Sequence, residues 1–329
     1  MYQTLKNLPA SQQIGAMFLV IFGLLAIATL VLLLLSMRET PDITVPSRRR
    51  TDLPNLQKLL KTSWLLMFLF WLAWLTGDRA RLLLFALASF FALREFLTLS
   101  PTRYSDHRSL VLAFFVVLPF QYWLVSAEHF NLFTVFIPVY VFLTLPIVSA
   151  LSNDPQRFLE RNAKLQWGIM VCIYGLSHVP ALMLLDFPRY DNKNGFLLLF
   201  LVLVVYTCMA TQHLFKRKLF RPPAAPKISQ SFHWLGWWVG MAAGSLLGAV
   251  LAGITPFVPG QAFALSFIAC AAGSLGHLVM KALKRDRGIP MWSGEGKGVT
   301  GAGGMLDRID SLCFAAPVFF HSVRWHFGT

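Results

Sequence analysis

Residues 14–37 read IGAMFLVIFGLLAIATLVLLLLSM, a run without a charged side chain that is followed directly by Arg38. A helix needs about 20 mainly apolar residues to cross a bilayer, so this stretch is long enough to span one. A basic residue directly after such a run is typical of a retained membrane segment and not of a cleaved leader. The stretch therefore predicts a transmembrane helix.

Apolar composition extends over the whole chain. Of its 329 residues, 56% are hydrophobic and 13% are charged, against about 25% charged in a typical soluble domain. The four cysteines lie in apolar stretches, which predicts buried free thiols and no disulfide or zinc framework. We therefore predict an all-α, polytopic integral membrane protein with about ten hydrophobic segments, near 14–37, 63–77, 80–99, 109–126, 130–150, 165–185, 195–213, 233–254, 261–280 and 309–323.

Lysine and arginine are distributed unevenly between these segments. Of 29 such residues, 23 lie in the alternate loops 38–62, 94–108, 151–164, 214–232 and 281–308. By the positive-inside rule, these loops are cytoplasmic and both termini lie outside, as in a multi-pass protein of a bacterial-type cytoplasmic membrane. The net charge of +14 is then explained by topology, and we predict no nucleic-acid partner.

The segment 277–311 carries the most informative polar residues. It leaves an apolar stretch through Lys284 and Arg285, becomes rich in glycine, and reaches Asp307 and Asp310 at the start of the last apolar segment. Glycines let backbone amides approach a ligand, and a helix N-terminus favours an anion. Two interpretations remain open: a phosphate site, or a helix capped by Asp307 in which Asp310 neutralises a nearby arginine.

Two runs lie close together near the C-terminus: Lys284-Arg285-Asp286 and Gly301-Ala302-Gly303-Gly304-Met305-Leu306-Asp307-Arg308-Ile309-Asp310. Together they resemble the C-terminal signature of the phosphatidate cytidylyltransferases, which are also called CDP-diacylglycerol synthases. Ala92-Leu93-Arg94-Glu95-Phe96 and Pro226-Lys227-Ile228-Ser229 look like further landmarks of that family. The resemblance implies that residues 63–329 form a phosphatidate cytidylyltransferase-like membrane domain, preceded by a span and a basic cytoplasmic linker in residues 1–62.

The resemblance implies nucleotidyl transfer, in which the phosphate of phosphatidate attacks the α-phosphorus of CTP and pyrophosphate leaves. Because both reactants are anions, an active member needs Mg²⁺ and basic side chains to offset their repulsion. The residues expected to act in catalysis are Asp307, Arg308, Asp310, Lys284 and Arg285. Those expected to bind phosphate are Lys227, Ser229, Lys297, Gly303 and Gly304.

Several family carboxylates are missing from this chain. Gly276-His277 stands where the family has a Gly-Asp pair of its metal site, and a later Lys-Asp pair is absent. An acidic family stretch in the seventh span corresponds to residues 205–209, which contain no carboxylate. His277 could still hold a transition metal together with Asp307; the alternative is a histidine that hydrogen-bonds between helices.

This combination predicts a family member of phospholipid metabolism that is catalytically impaired but retains lipid-phosphate or nucleotide binding at the cytoplasmic face. Its expected ligands are a phosphatidate-like phospholipid and CTP, and its expected protein partner is a second copy or an active paralogue. The first alternative is an active transferase that makes CDP-diacylglycerol or a related CDP-lipid with a rearranged metal site. The second is a lipid transporter or scaffold, although almost no ionisable residue lies in mid-span.

Overall fold

The protein is helical in the described part of this computed structural model. An antiparallel bridge between Ala225 and Ser229 is its one extended pairing within the described residues. The chain divides into two compact units, Met1–Leu84 and Phe85–Thr329. The predicted all-α class is confirmed, whereas the division into 1–62 and 63–329 stays a prediction. The described residues are 10–38, 57, 60–61, 63–64, 67–68, 71–72, 74–98, 102–187, 190, 194–216, 222–229, 232–289 and 304–328.

Aromatic contacts organise the first unit. Its long helix, α1 (Ala10–Arg38), contains the apolar stretch 14–37. The Phe22 ring stacks on Trp64 with centroids 5.7 Å apart, and the Trp64 indole donates a hydrogen bond of 3.0 Å to the Thr29 hydroxyl. The Arg81 guanidinium lies 4.0 Å from the Trp74 ring centroid. Cation–π contacts of this kind are expected where an aromatic side chain meets the polar boundary of a membrane.

Long helices follow between Asp78 and Phe327 in the part of the chain that the structure describes. Six of them, α3 to α8, are long and apolar enough to cross a membrane, and α1 contains a shorter apolar stretch, Phe18–Leu34. The multi-pass architecture is thus confirmed, but the count of ten spans is not. The helices are α2 (Asp78–Thr98), α3 (Tyr104–Ser126), α4 (Phe130–Ala150), α5 (Phe158–Leu182), α6 (Gly195–Lys216), α7 (Trp234–Leu251, continued by a 3₁₀ turn), α8 (Pro259–Asp286) and α9 (Leu306–Phe327).

Basic loops meet one another at the same helix ends. The Ser105 hydroxyl, before α3, donates to the Asp154 carboxylate between α4 and α5 at 2.8 Å. At the opposite helix ends, the Arg324 guanidinium near the end of α9 donates to the Asn131 side chain at 3.0 Å. Contacts of this kind agree with an alternation of basic and non-basic loops, while the cytoplasmic orientation of the basic loops stays a prediction.

Glycines allow the helices of the second unit to pack closely. A Cβ atom at Gly248 of α7 would lie 1.8 Å from the Ser266 hydroxyl oxygen of α8, and one at Gly244 would lie 2.5 Å from the Cys270 sulfur. A Cβ at Gly175 of α5 would lie 2.3 Å from the Cys313 carbonyl oxygen of α9. Small residues at such contacts let helix backbones approach, as is common between membrane helices. The predicted burial of all four cysteines as free thiols is confirmed.

A buried arginine joins the loops around the start of α5. The Arg161 guanidinium, 5% exposed, lies 3.1 Å from the Asp106 carboxylate and 2.5 Å from the Asp154 carboxylate. The Asp154 carboxylate also accepts hydrogen bonds from the Ser105 hydroxyl and the Gln156 backbone N–H. These hydrogen bonds, followed by the charge of Arg161, lower the pKa of Asp154 from 3.8 to about 2. The ionised carboxylate is therefore part of the folded structure.

The close approach of α5 and α9 predicts that a glycine-to-alanine substitution destabilises the protein at Gly175 but not at Gly260. Gly175→Ala should lower the unfolding free energy by about 1–3 kcal/mol, because its new methyl group meets a backbone carbonyl that cannot rotate away. Gly260→Ala in α8 is the matched control, because no atom lies within 4 Å of its Cβ position. Thermal unfolding in detergent measures both. Equal melting temperatures for the two variants would contradict the close packing.

The Asp154 network predicts a pH dependence of stability. Because the folded-state pKa is depressed, the unfolded chain binds the proton more readily; the stabilisation is present above about pH 4 and is lost as pH falls towards 2. Asp154→Asn should melt below the wild type at pH 7, and the difference should shrink between about pH 4 and pH 3. Asp286→Asn, at an exposed carboxylate, is the control. A gap between Asp154→Asn and wild type that stays constant over this range would refute the assignment.

Candidate functional site

The site forms where the end of α8 meets the start of α9. The Lys284 ammonium, on the last turn of α8, donates to the Asp307 carboxylate on the first turn of α9. Their side chains are 13% and 20% exposed, so this pair is largely shielded. Gly304 precedes it with φ +75°, and a Cβ there would lie 2.9 Å from an Asp307 carboxylate oxygen. A glycine therefore suits both the backbone conformation and the space beside Asp307.

A second pair lies one helical turn further along α9. The Nδ1 atom of His277 is 2.7 Å from Oδ2 of Asp310, whose side chain is 3% exposed. The other Asp310 oxygen accepts a hydrogen bond of 2.6 Å from the backbone N–H of Ser311. Because an ionised carboxylate only accepts hydrogen bonds, Nδ1 of His277 is the donor. Asp310 contacts His277 and not the arginine that the capping interpretation expected, and Asp307 pairs with Lys284.

Glu95 of α2 caps α9. Its carboxylate accepts a hydrogen bond of 2.9 Å from the backbone N–H of Leu306, and the backbone amides of Gly304 and Met305 lie close to it. These are amides that a helix start leaves without intrahelical partners, and an anion is favoured there. The sequence predicted that this helix N-terminus favours an anion. In the structure, the carboxylate of Glu95 supplies a negative charge there. A phosphate at Gly304 has to share these donors with Glu95, and its binding stays a prediction.

Helix α6 also holds the start of α9. The Tyr206 hydroxyl donates to the backbone carbonyl of Arg308. Tyr206 lies in the stretch 205–209, where the family that this chain resembles has carboxylates. Here a neutral phenol stands in that stretch, and its hydroxyl hydrogen-bonds to the backbone. Within the described residues, Nη1 of Arg308 is buried and has no hydrogen-bond partner. This nitrogen is consequently a donor that an incoming anion can use.

A polar cavity adjoins the His277–Asp310 pair. Its volume is about 150 Å³, well above the roughly 10–15 Å³ that a single water needs, and His277 lies in its wall. The Lys281 ammonium donates to the buried Ser229 hydroxyl at 3.4 Å, closing the cavity on the side of the 222–229 loop. The other polar residues of the wall are Gln212, His213 and Ser274, and the apolar ones are Met209, Phe232 and Leu278.

The predicted site residues are thus partly brought together. Asp307, Lys284, Asp310, Arg308 and Gly304 share the α8–α9 junction, and Ser229 reaches the adjoining cavity. Arg285 and Lys227 are exposed. Lys297 and Gly303 lie outside the described residues.

Three contributing residues were absent from the sequence-based set: Glu95, Tyr206 and Lys281. Glu95 had a signal, since it follows a long apolar stretch of α2 and a carboxylate near a membrane segment is costly and usually functional. Lys281 also had one, because it lies four residues after His277 and therefore on the same helix face. Tyr206 had none, because its hydrogen bond to a distant backbone carbonyl depends on the packing of α6 against α9.

The side chains at the junction do not fit a protein-built magnesium site as they stand. In the part of the chain that the structure describes, no three His, Cys, Asp or Glu side chains converge to hold a metal. Asp307 is engaged by Lys284, and both oxygens of Asp310 already accept hydrogen bonds. His277 contacts Asp310, and a shared metal between His277 and Asp307 stays a prediction. Mg²⁺ prefers six oxygen ligands, so it would have to displace these contacts.

The cap on α9 predicts a stability effect of Glu95. Glu95→Ala should lower the unfolding free energy by about 1–2 kcal/mol, because the Leu306 amide loses its acceptor and the start of α9 loses a nearby negative charge. Glu95→Gln keeps an acceptor oxygen of the same reach and should lose less. Thermal unfolding of both variants in one detergent measures the difference. An alanine variant as stable as the glutamine variant would show that the cap does not hold α9.

Comparison with known proteins places the chain in a family. An uncharacterised protein of Escherichia coli strain K12, YnbB, is 32% identical over 311 residues, 93% of this chain and 96% of that protein. A phosphatidate cytidylyltransferase of Brucella abortus biovar 1 is 30% identical over 139 residues, 41% of this chain and 50% of that enzyme. One of Mycobacterium leprae is 35% identical over 100 residues, 29% of this chain and 30% of that enzyme. The sequence profile of the cytidylyltransferase family matches residues 56–326, and this multi-pass protein therefore belongs to the cytidylyltransferase family.

Proposed function

We propose that the protein binds a lipid phosphate, or the phosphates of a nucleotide such as CTP, at the cytoplasmic membrane face and is impaired in magnesium-dependent nucleotidyl transfer. It acts in phospholipid metabolism, as a homodimer or beside an active paralogue. One observation carries this proposal: both aspartates of the C-terminal signature are paired within the chain, Asp307 with Lys284 and Asp310 with His277.

The pairing of Asp307 and Asp310 within the chain affects catalysis because it occupies the carboxylates that would otherwise hold cations. A triphosphate and a phosphatidate repel each other, and a transferase offsets this repulsion with cations held by carboxylates. Here the carboxylates are stabilised by a lysine and a histidine, and the family's other acidic positions carry His277 and the stretch 205–209. To bind Mg²⁺, the site would first have to break two shielded pairs. This costs free energy that Mg²⁺ binding to water-exposed carboxylates does not cost.

Basic groups for phosphate binding remain. The unpartnered Nη1 of Arg308 lies within the described junction, and the Lys281 ammonium reaches the wall of the cavity. Guanidinium and ammonium groups suit phosphate oxygens, the former by directed hydrogen bonds and the latter as a point charge. Retained phosphate binding without transfer is consistent with this combination.

A second candidate is an active transferase with a rearranged metal site. It is favoured by the gathering of Glu95 and Asp307, whose carboxylates are close enough to repel each other. With phosphate oxygens completing the shell, such carboxylates resemble the partial cages that Mg²⁺ accepts. The two candidates differ in one observable, the formation of a CDP-lipid.

Transfer is tested with purified protein in nanodiscs that contain phosphatidate, labelled CTP, and either Mg²⁺ or Mn²⁺. We expect no lipid-linked label above a protein-free blank, because both aspartates are already engaged. Asp307→Ala should then change nothing, and neither should Asp186→Ala, a matched change at an exposed carboxylate between α5 and α6. Robust turnover that Asp307→Ala abolishes and Asp186→Ala preserves would establish the active transferase instead.

Binding is tested separately on the same preparation. Phosphatidate or CTP should raise the melting temperature, since a ligand at 100 times its Kd stabilises the folded state by about 2.7 kcal/mol. Diacylglycerol, which lacks the phosphate, is the matched lipid control. If neither phosphate compound shifts the melting temperature, the protein does not retain the proposed ligand site.

A further inference from the structure

Two cysteines lie side by side between α6 and α8. Cys208 of α6 and Cys270 of α8 are fully buried free thiols, and their side chains lie close to each other. The Cys270 thiol donates to the backbone carbonyl of Val204 at 3.6 Å. This carbonyl lies one helical turn before Cys208, so the Cys270 sulfur faces the turn of α6 that carries Cys208. Two thiols from different helices therefore meet at one packing position.

Gly244 of α7 makes room for both thiols. A Cβ atom there would lie 2.5 Å from the Cys270 sulfur and 3.2 Å from the Cβ atom of Cys208. The two cysteine side chains thus converge on the same point of α7. A disulfide needs its two Cβ atoms about 3.5–4.5 Å apart, and side chains that converge in this way satisfy the requirement with small adjustments.

The thiol pair lies one helical turn away from the polar cavity. The side-chain amide of Gln212, a residue of the cavity wall, donates a hydrogen bond of 3.2 Å to the Cys208 sulfur. Ser274, four residues after Cys270 on α8, also lines the cavity. The cavity, about 150 Å³ in volume, exceeds the space of a single water, so a small polar molecule fits inside it. An N–H donor at a sulfur stabilises the negative charge that develops there when the thiol reacts.

We propose that Cys208 and Cys270 form a modification site, at which a small hydroperoxide that enters the cavity oxidises the two thiols to a reversible disulfide. The Cys208 sulfur first attacks a peroxide oxygen; the O–O bond breaks, a sulfenic acid forms, and an alcohol leaves with the thiol proton. The Cys270 sulfur then attacks the sulfenic sulfur, and the S–S bond forms as water leaves. The thiols lose two electrons and the peroxide gains them.

The oxidised form joins α6 to α8 covalently beside the cavity. A dithiol reductant restores the two thiols by exchange, so the site responds to the balance between hydroperoxide and thiol. This chemistry requires no bound phosphate and is therefore independent of the proposed function. It also agrees with four free cysteines in the reduced protein.

The test detects the disulfide directly. Purified wild-type protein in detergent is treated with hydrogen peroxide, unfolded, blocked with N-ethylmaleimide and digested for mass spectrometry. We expect a peptide pair linked through Cys208 and Cys270, loss of the maleimide adducts at both positions, and their return after treatment with dithiothreitol. Retained adducts at both positions would overturn the proposal, and so would a sulfinic acid at Cys208 beside a free Cys270.

Variants assign the link to this pair. The double variant Cys172→Ser/Cys313→Ser leaves Cys208 and Cys270 as the cysteines of the chain and should form the link at the wild-type rate. Cys208→Ser should abolish the link. A link that forms only when Cys172 or Cys313 is present would refute the assignment.

The role of the cavity is tested at Gln212. Gln212→Leu removes the donor to the Cys208 sulfur and should slow formation of the link roughly threefold to tenfold. Gln166→Leu, at a glutamine of α5 whose amide donates to the Phe142 carbonyl, is the matched control and should keep the wild-type rate. Equal rates for the two variants would overturn activation from the cavity wall.

Discussion

Charged side chains at the boundary of an apolar helical bundle need partners close by, because lipid offers none. At the junction of α8 and α9 this need is met within the chain. Lys284 pairs with Asp307, His277 pairs with Asp310, and Glu95 satisfies the amides at the start of α9. The position of α9 depends on these contacts. Close packing at Gly175 adds a steric limit on the same helix.

The same contacts connect the fold with the proposed function. A family site that carries uncompensated carboxylates attracts cations, whereas a site whose carboxylates are already paired does not. Replacement of an acidic residue by His277 changes the electrostatics of the junction without removing its polar character. The result is a small cavity with a lysine and a histidine side chain on one helix face. Recognition of a polar headgroup requires no more than this, since binding a phosphate does not need the metal that its transfer needs.

Much of the fold could be predicted because membrane insertion depends on local composition. Length and apolarity of a segment largely decide whether it can form a spanning helix, and lysine and arginine counts indicate orientation. The all-α, multi-pass class and the family were predicted correctly on these grounds and on the run 301–312. The span count was not confirmed, because α2 and α9 carry charged side chains near both ends and are not among the helices long and apolar enough to cross a membrane.

The sequence by itself determined the membrane architecture, the family, and the residue types available at the C-terminal signature. Only the tertiary structure decided which of these residues meet. Nothing in the spacing of Asp307 and Asp310 reveals that one binds Lys284 and the other His277, or that Glu95, 211 residues earlier, occupies the amides before them. Such pairings depend on how α2, α8 and α9 pack, and packing between distant segments is a property of three-dimensional contacts that local sequence does not encode.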